Sequence, residues 1–96
     1  MKVRYSRPAL ADLDAILSDL AEKNPAAAAR FEARISRIEE RIGRFPDAFQ
    51  QVESRTGYRR VPLYRHPYLL FYMVAANEVI VLRILHGARR EPWEDL

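Results

Sequence analysis

Apolar residues recur in the first half of this chain at steps of three and four, and in the second half they gather into short unbroken runs. The first pattern predicts helices and the second predicts strands covered on both faces or nearly so. Val3-Arg4-Tyr5-Ser6 predicts a short strand over residues 3–6. Ser6 is placed to cap a helix beginning just after it, and Pro8 suits that helix's first turn. Leu10, Leu13, Leu17 and Leu20, with Ile16 between them, then make an apolar stripe on a helix ending near Lys23. Asn24-Pro25 restarts the chain as an N-cap followed by proline. Ala28, Phe31, Ile35, Ile38, Ile42 and Phe45 form a second, continuous seam. Gly43 and Pro46 mark its end.

Residues 46–57 predict a loop, with turn chemistry at Pro46-Asp47 and Gly57. Strands are predicted over 58–63, 68–75 and 79–86, the last two joined by a tight turn at Ala76-Asn77-Glu78. In the last strand, simple alternation puts Ile80, Leu82 and Ile84 on one face and Val79, Val81, Arg83 and Leu85 on the other. Arg83 then interrupts an apolar face, either tucked against an acid or contributing to a basic side. The order is β-α-α-β-β-β in a single domain over 1–96. Two helices joined by so short a break form an antiparallel hairpin, and their seams need one face of the sheet. The expected fold is a two-layer α+β domain with a mainly antiparallel four-stranded sheet.

Length and composition narrow the class. The chain's 96 residues suffice for one core. With no cysteine, disulfides, thiolate chemistry and cysteine-based zinc sites are excluded. The start of the chain is charged and does not read as a signal peptide, and the longest apolar run, Tyr68 to Ala76, is far too short to span a bilayer. A cytoplasmic protein without metal or cofactor is expected.

The net charge is +3, and 14 of the 16 basic residues are arginine. Between Arg55 and Arg90 stand seven arginines and one acid, Glu78, so the second half has a basic side. Each arginine there offers a planar fork suited to phosphates or carboxylates. The second helix carries Arg30, Arg34, Arg37 and Arg41 beside Glu32, Glu39 and Glu40. That run is read as a solvated face laced with pairs such as Glu40–Arg44.

The element order, the opening Arg7-Pro8-Ala9-Leu10-Ala11-Asp12-Leu13, the Tyr68-Leu69-Leu70-Phe71-Tyr72 strand and the ending Leu85-His86-Gly87-Ala88-Arg89-Arg90 together resemble the RelE/ParE family. Those proteins are toxins of bacterial type II toxin–antitoxin systems. The resemblance spans essentially the whole chain and implies a cognate antitoxin, ParD-like, wrapping the toxin with a flexible segment. It implies one of two activities. RelE-like members are ribosome-dependent messenger-RNA endonucleases; ParE-like members are associated with inhibition of DNA gyrase.

Residue chemistry bears on that choice. Cleaving RNA at a 2′-hydroxyl needs a base, an acid and cations, each proton-transfer group being worth about 10²–10⁴ in rate. Where nucleases resembling this chain carry lysine and arginine, it has Arg59 and Arg60, which cannot serve as bases, and Leu69. Arg89 does match the family's arginine after the glycine. The acidic tail Glu91-Pro92-Trp93-Glu94-Asp95-Leu96 holds no tyrosine, lysine or histidine. His86 is the remaining acid–base candidate, although a histidine closing a buried strand is more often structural; His66 is a weaker one. The expectation is therefore a ParE-like toxin that acts by binding, with gyrase as target. The target-binding residues would be Arg59, Arg60, Arg65, Arg89 and Arg90, with Trp93 as anchor or as a lid on the sheet's end. The competing expectation is a RelE-like endoribonuclease using His86 and the arginines.

Overall fold

The computed structural model describes residues 1–87. The chain runs β1 (Lys2–Tyr5), α1 (Arg7–Lys23), α2 (Pro25–Arg44), β2 (Gln50–Gln51), β3 (Tyr58–Pro62), β4 (Tyr68–Ala75) and β5 (Glu78–His86). Local chemistry sets the helix ends. The Ser6 hydroxyl oxygen accepts from the Ala9 N–H at 3.1 Å, while the hydroxyl donates to the Leu82 carbonyl at 2.8 Å. One residue thus caps α1 and fastens it to β5. Asn24 closes α1 through its N–H to the Leu20 carbonyl and opens α2 by accepting from Ala26 and Ala27. The hairpin bends at a single residue that satisfies orphan groups of both helices.

The sheet has five strands in the order β1-β5-β4-β3-β2, not four. β1 runs parallel to β5, because the helical hairpin carries the chain over one face before it returns; the other pairs are antiparallel. The added strand is the two-residue β2, from the segment expected to be a loop. Gln50 and Gln51 pair with Arg60 and Arg59, and no periodic pattern two residues long could have announced them.

The core lies between the hairpin and one sheet face. Phe31, Ile35, Ile38 and Ile42 from α2 and Ala9 and Ile16 from α1 meet Val61, Leu63, Leu70, Tyr72, Val79, Val81 and Ile84. Leu13, Leu17 and Leu20 pack at its margin. Both expected seams overreach at an end. Leu10 is 52% exposed, and Phe45, whose backbone has left the helix, is 55% exposed. Simple alternation also fails in β5. Phe71 pairs with Arg83 but Tyr72 with Val81, so Leu82 is an extra, unpaired residue. That β-bulge shifts the phase by one residue. Ile84 accordingly joins Val79 and Val81 in the helix-side core instead of sharing a face with Ile80 and Leu82.

The bulge also settles Arg83. Its Nε and one terminal nitrogen donate to the two Asp12 carboxylate oxygens at 2.7 and 3.0 Å, and the Ile84 N–H donates to the same carboxylate at 3.0 Å. Both side chains are mostly buried. Arg83 is thus a clamp between β5 and α1 and does not add to the basic side.

Gly43 continues α2 instead of ending it. A β-carbon there would stand 2.8 Å from the Met1 carbonyl oxygen and 3.1 Å from a Val3 methyl. The last turn of α2 and the start of β1 are that close only because residue 43 has no side chain.

Candidate partner-binding groove

The outer side of α2 carries Arg30, Arg34, Arg37, Arg41 and Arg44, at alternating steps of four and three residues. Such steps keep all five on one stripe, spanning about 21 Å at the rise of an α-helix. Opposite stands a wall from the end of β3 and the turn into β4, made of Pro62, Tyr64, Arg65 and His66. Between stripe and wall lie two adjoining hollows of about 660 and 810 Å³, which share Arg34, Arg37 and Tyr64. They form one groove, floored at one end by Ile38, Phe49 and Val61.

The groove is electrostatically one-sided. Among the described residues it is lined by six arginines and a single acid, Glu40, which reaches Arg44 at 3.9 Å. Glu39 is engaged elsewhere, accepting from the Tyr5 hydroxyl at 3.1 Å; burial and the nearby carboxylate push that phenol's pKa up. Among the described residues, Arg30, Arg34, Arg37, Arg41 and Arg65 make no ion pair. The Nε of Arg34, where the hollows meet, is buried without a hydrogen-bond acceptor. A buried donor left unmatched is costly, and its place is where an acceptor from a partner would be most rewarded.

The groove also displays aromatic surface. Of the four large hydrophobic side chains exposed among the described residues, two, Tyr64 at 70% and Phe45 at 55%, border it. His66 sets its ring edge-on to Phe31 at 5.0 Å. Its pKa is pushed down, first by burial and then by Arg30 and Arg34. It is a neutral ring among cations.

The expected site residues are dispersed. Arg59 is turned inward at the sheet margin. It donates to the Phe49 carbonyl at 2.6 Å and the Asp47 carbonyl at 3.2 Å, and its guanidinium lies 3.6 Å from the Asp47 carboxylate. With the Tyr72 hydroxyl donating to the Pro46 carbonyl at 2.6 Å, it pins the loop that leads to β2. Burial pushes the Tyr72 hydroxyl up to about 12, with opposing contributions from Arg59 and Asp47. Arg60 is exposed on β3 between Gln50 and Phe71. Arg65 is exposed in the turn with φ of 73°, in the left-handed region, and lines the groove. Arg89, Arg90 and Trp93 lie outside the described residues.

His86 ends β5, edge-on to Tyr68 at 5.7 Å. It shares with His66 and Arg65 a third, shallower hollow of about 600 Å³ that, among the described residues, is lined by no lysine and no carboxylate. The chain's two lysines stand on β1 and in the last turn of α1.

The α2 arginines are largely solvated and Glu40 pairs with Arg44, as expected, but their stripe also forms one bank of a basic groove. A signal for it was present: the arginines keep to one stripe, and the acids at 32 and 39 fall off it. The facing wall, however, comes from residues about thirty positions later.

The model of the ParE toxin of the type II toxin–antitoxin system parDE matches residues 3–91. The chain belongs to the ParE toxin family. The chromosomal ParDE toxin–antitoxin system of P. aeruginosa contains a similar chain, with TM-score 0.77 and 25% identity over 90% of this chain and 95% of that one. A YoeB/ParE toxin from Agrobacterium tumefaciens shares the fold, with TM-score 0.65 and 15% identity over 90% and 98%. No curated protein matches. This ParE-type toxin therefore has the layered helix-hairpin-on-sheet architecture of its relatives, and no helix among its described residues is long and apolar enough to cross a membrane.

Proposed function

We propose that this ParE-type toxin arrests growth in the cytoplasm by binding DNA gyrase, and that a ParD-like antitoxin silences it through an acidic, amphipathic segment. The observation that carries the reading is the arginine groove with its unmatched guanidinium groups. Six cations beside exposed apolar rings suit a segment presenting carboxylates and apolar anchors together. A segment that orders on binding loses conformational entropy, so it needs a long interface such as this groove.

Binding over catalysis is supported by residue chemistry: Arg59 and Arg60 cannot serve as bases, and Leu69 stands where the nucleases carry arginine. The hollow at His86 is lined by Tyr64, Arg65, His66 and Tyr68, with no lysine or carboxylate among the described residues. The RelE-like alternative draws support from His86, His66 and Arg65 lining one hollow, a cation beside two imidazoles.

Two assays separate the readings. Purified toxin should inhibit gyrase supercoiling, and purified ribosomes should yield no toxin-dependent cleavage in the A site. Cleavage lost about a hundredfold or more in His86→Gln would establish the nuclease instead.

A further inference from the structure

We propose that the groove between α2 and the β3–β4 turn is a binding site for single-stranded nucleic acid, holding about four nucleotides. The proposal rests on the ParE reading only in expecting the antitoxin to compete for the same groove.

The stripe comes first. Arg30, Arg34, Arg37, Arg41 and Arg44 succeed one another at about 5 Å along the helix axis, a step comparable to the phosphate repeat of an extended strand. Every cation is arginine, whose fork grips a phosphate through two parallel hydrogen bonds. Four of the five have no ion pair among the described residues, so a phosphate would replace water and not an existing carboxylate.

The wall decides between occupants. A strand of nucleotides presents phosphates on one side and flat bases on the other. Here five of the six arginines stand on one bank, while Tyr64 at 70% exposure stands on the other beside Arg65 and beside His66, whose ring packs edge-on against Phe31. Exposed rings facing a basic track are the elements of a stacking platform, indifferent to sequence because every base has a π-face. An acidic segment would meet the arginines equally well; base stacking on the exposed Tyr64 ring is what a nucleotide strand adds. The antitoxin's carboxylates would then stand in for phosphates, and silencing would cover the strand site.

The test is fluorescence anisotropy of a labelled oligothymidine of about twelve nucleotides with the full chain at about 50 mM salt, with a glutamate peptide of equal charge and a duplex as competitors. Binding should weaken with salt at a logarithmic slope of about 3, the release expected from about four single-strand phosphates. Tyr64→Ala should weaken it about tenfold and the Arg37→Glu, Arg41→Glu double variant by about a hundredfold or more, while Arg7→Glu, outside the groove, should change it less than about threefold. Circular dichroism verifies that each variant is folded; all the altered side chains are exposed.

No anisotropy change at tens of micromolar protein would overturn the proposal. So would equal or better competition by the glutamate peptide or the duplex, or indifference to Tyr64→Ala, which would mark a polyanion surface only. Co-purification with the antitoxin is measured separately, so loss of the strand site would leave the toxin–antitoxin reading standing.

Discussion

Single side chains here hold roles that their types alone did not announce. Asp12 accepts three hydrogen bonds from Arg83 and Ile84 across the α1–β5 boundary. Asp12→Ala removes both carboxylate contacts of the mostly buried Arg83 guanidinium and the acceptor of the Ile84 N–H, and should cost about 2–4 kcal/mol in urea unfolding. His66 supplies a pH dependence whose sign is set by its surroundings. Burial, Arg30 and Arg34 hold its folded-state pKa below the unfolded value of 6.5. The unfolded chain therefore binds the proton more readily. Stability is complete above about 6.5 and declines as pH falls from there through the depressed folded pKa. Because the ring is partly exposed, the effect is small. Comparing unfolding midpoints at about pH 7.5 and about pH 5.5, His66→Gln should narrow the acid-side loss; an unchanged difference would assign that loss to other groups.

At the level of elements, α2 is used on both sides. Its inner face buries Phe31, Ile35, Ile38 and Ile42, while its outer face carries the arginine stripe. Ile38→Ala should cost about 2–5 kcal/mol, a large share of a small domain's stability. Charge changes at Arg37 or Arg41 should leave unfolding within about 0.5 kcal/mol of the parent, as exposed substitutions usually do. Gly43 marks where the element meets its neighbour. Gly43→Ala drives a methyl into the Met1 carbonyl, and the obstacle is backbone that cannot swing aside. It should destabilise despite alanine's better helix propensity, and hydrogen exchange should rise first in β1. Stabilisation by that change would mean that the strand is not held where it is described.

For the whole molecule, the complex with the antitoxin should show both components of the groove. Co-purification with the small neighbouring gene product should survive moderate salt and weaken only in part as salt rises, because apolar anchors are not screened. Arg37→Glu with Arg41→Glu should loosen the complex and make it less salt-dependent. Failure to capture any small partner from its own operon would remove the main support for a ParD-like antitoxin. His86→Gln should leave growth inhibition largely intact if the toxin acts by binding.

Most of the layered fold is legible in local signals along the chain. Helical steps in one half and apolar runs in the other need no distant partner, and Ser6, Asn24 and the prolines punctuate them within a few residues. They define the hairpin, the three long strands and the α2 seam. Alternation along a strand could not foresee the bulge at Leu82, since a one-residue slip is decided by the partner strand and by Asp12 reaching across from α1. The same holds for Gln50–Gln51, a strand only because Arg59 and Arg60 lie beside it. Charge count showed a basic protein but not where the charge would act. Arg59, expected to face a target, is drawn inward by carbonyls of the loop before β2, and Arg83 is spent on Asp12. The α2 arginines look like ordinary solvated charge until Tyr64 and Arg65 are folded against them. A groove has two walls distant in sequence, and only tertiary packing brings them to face each other.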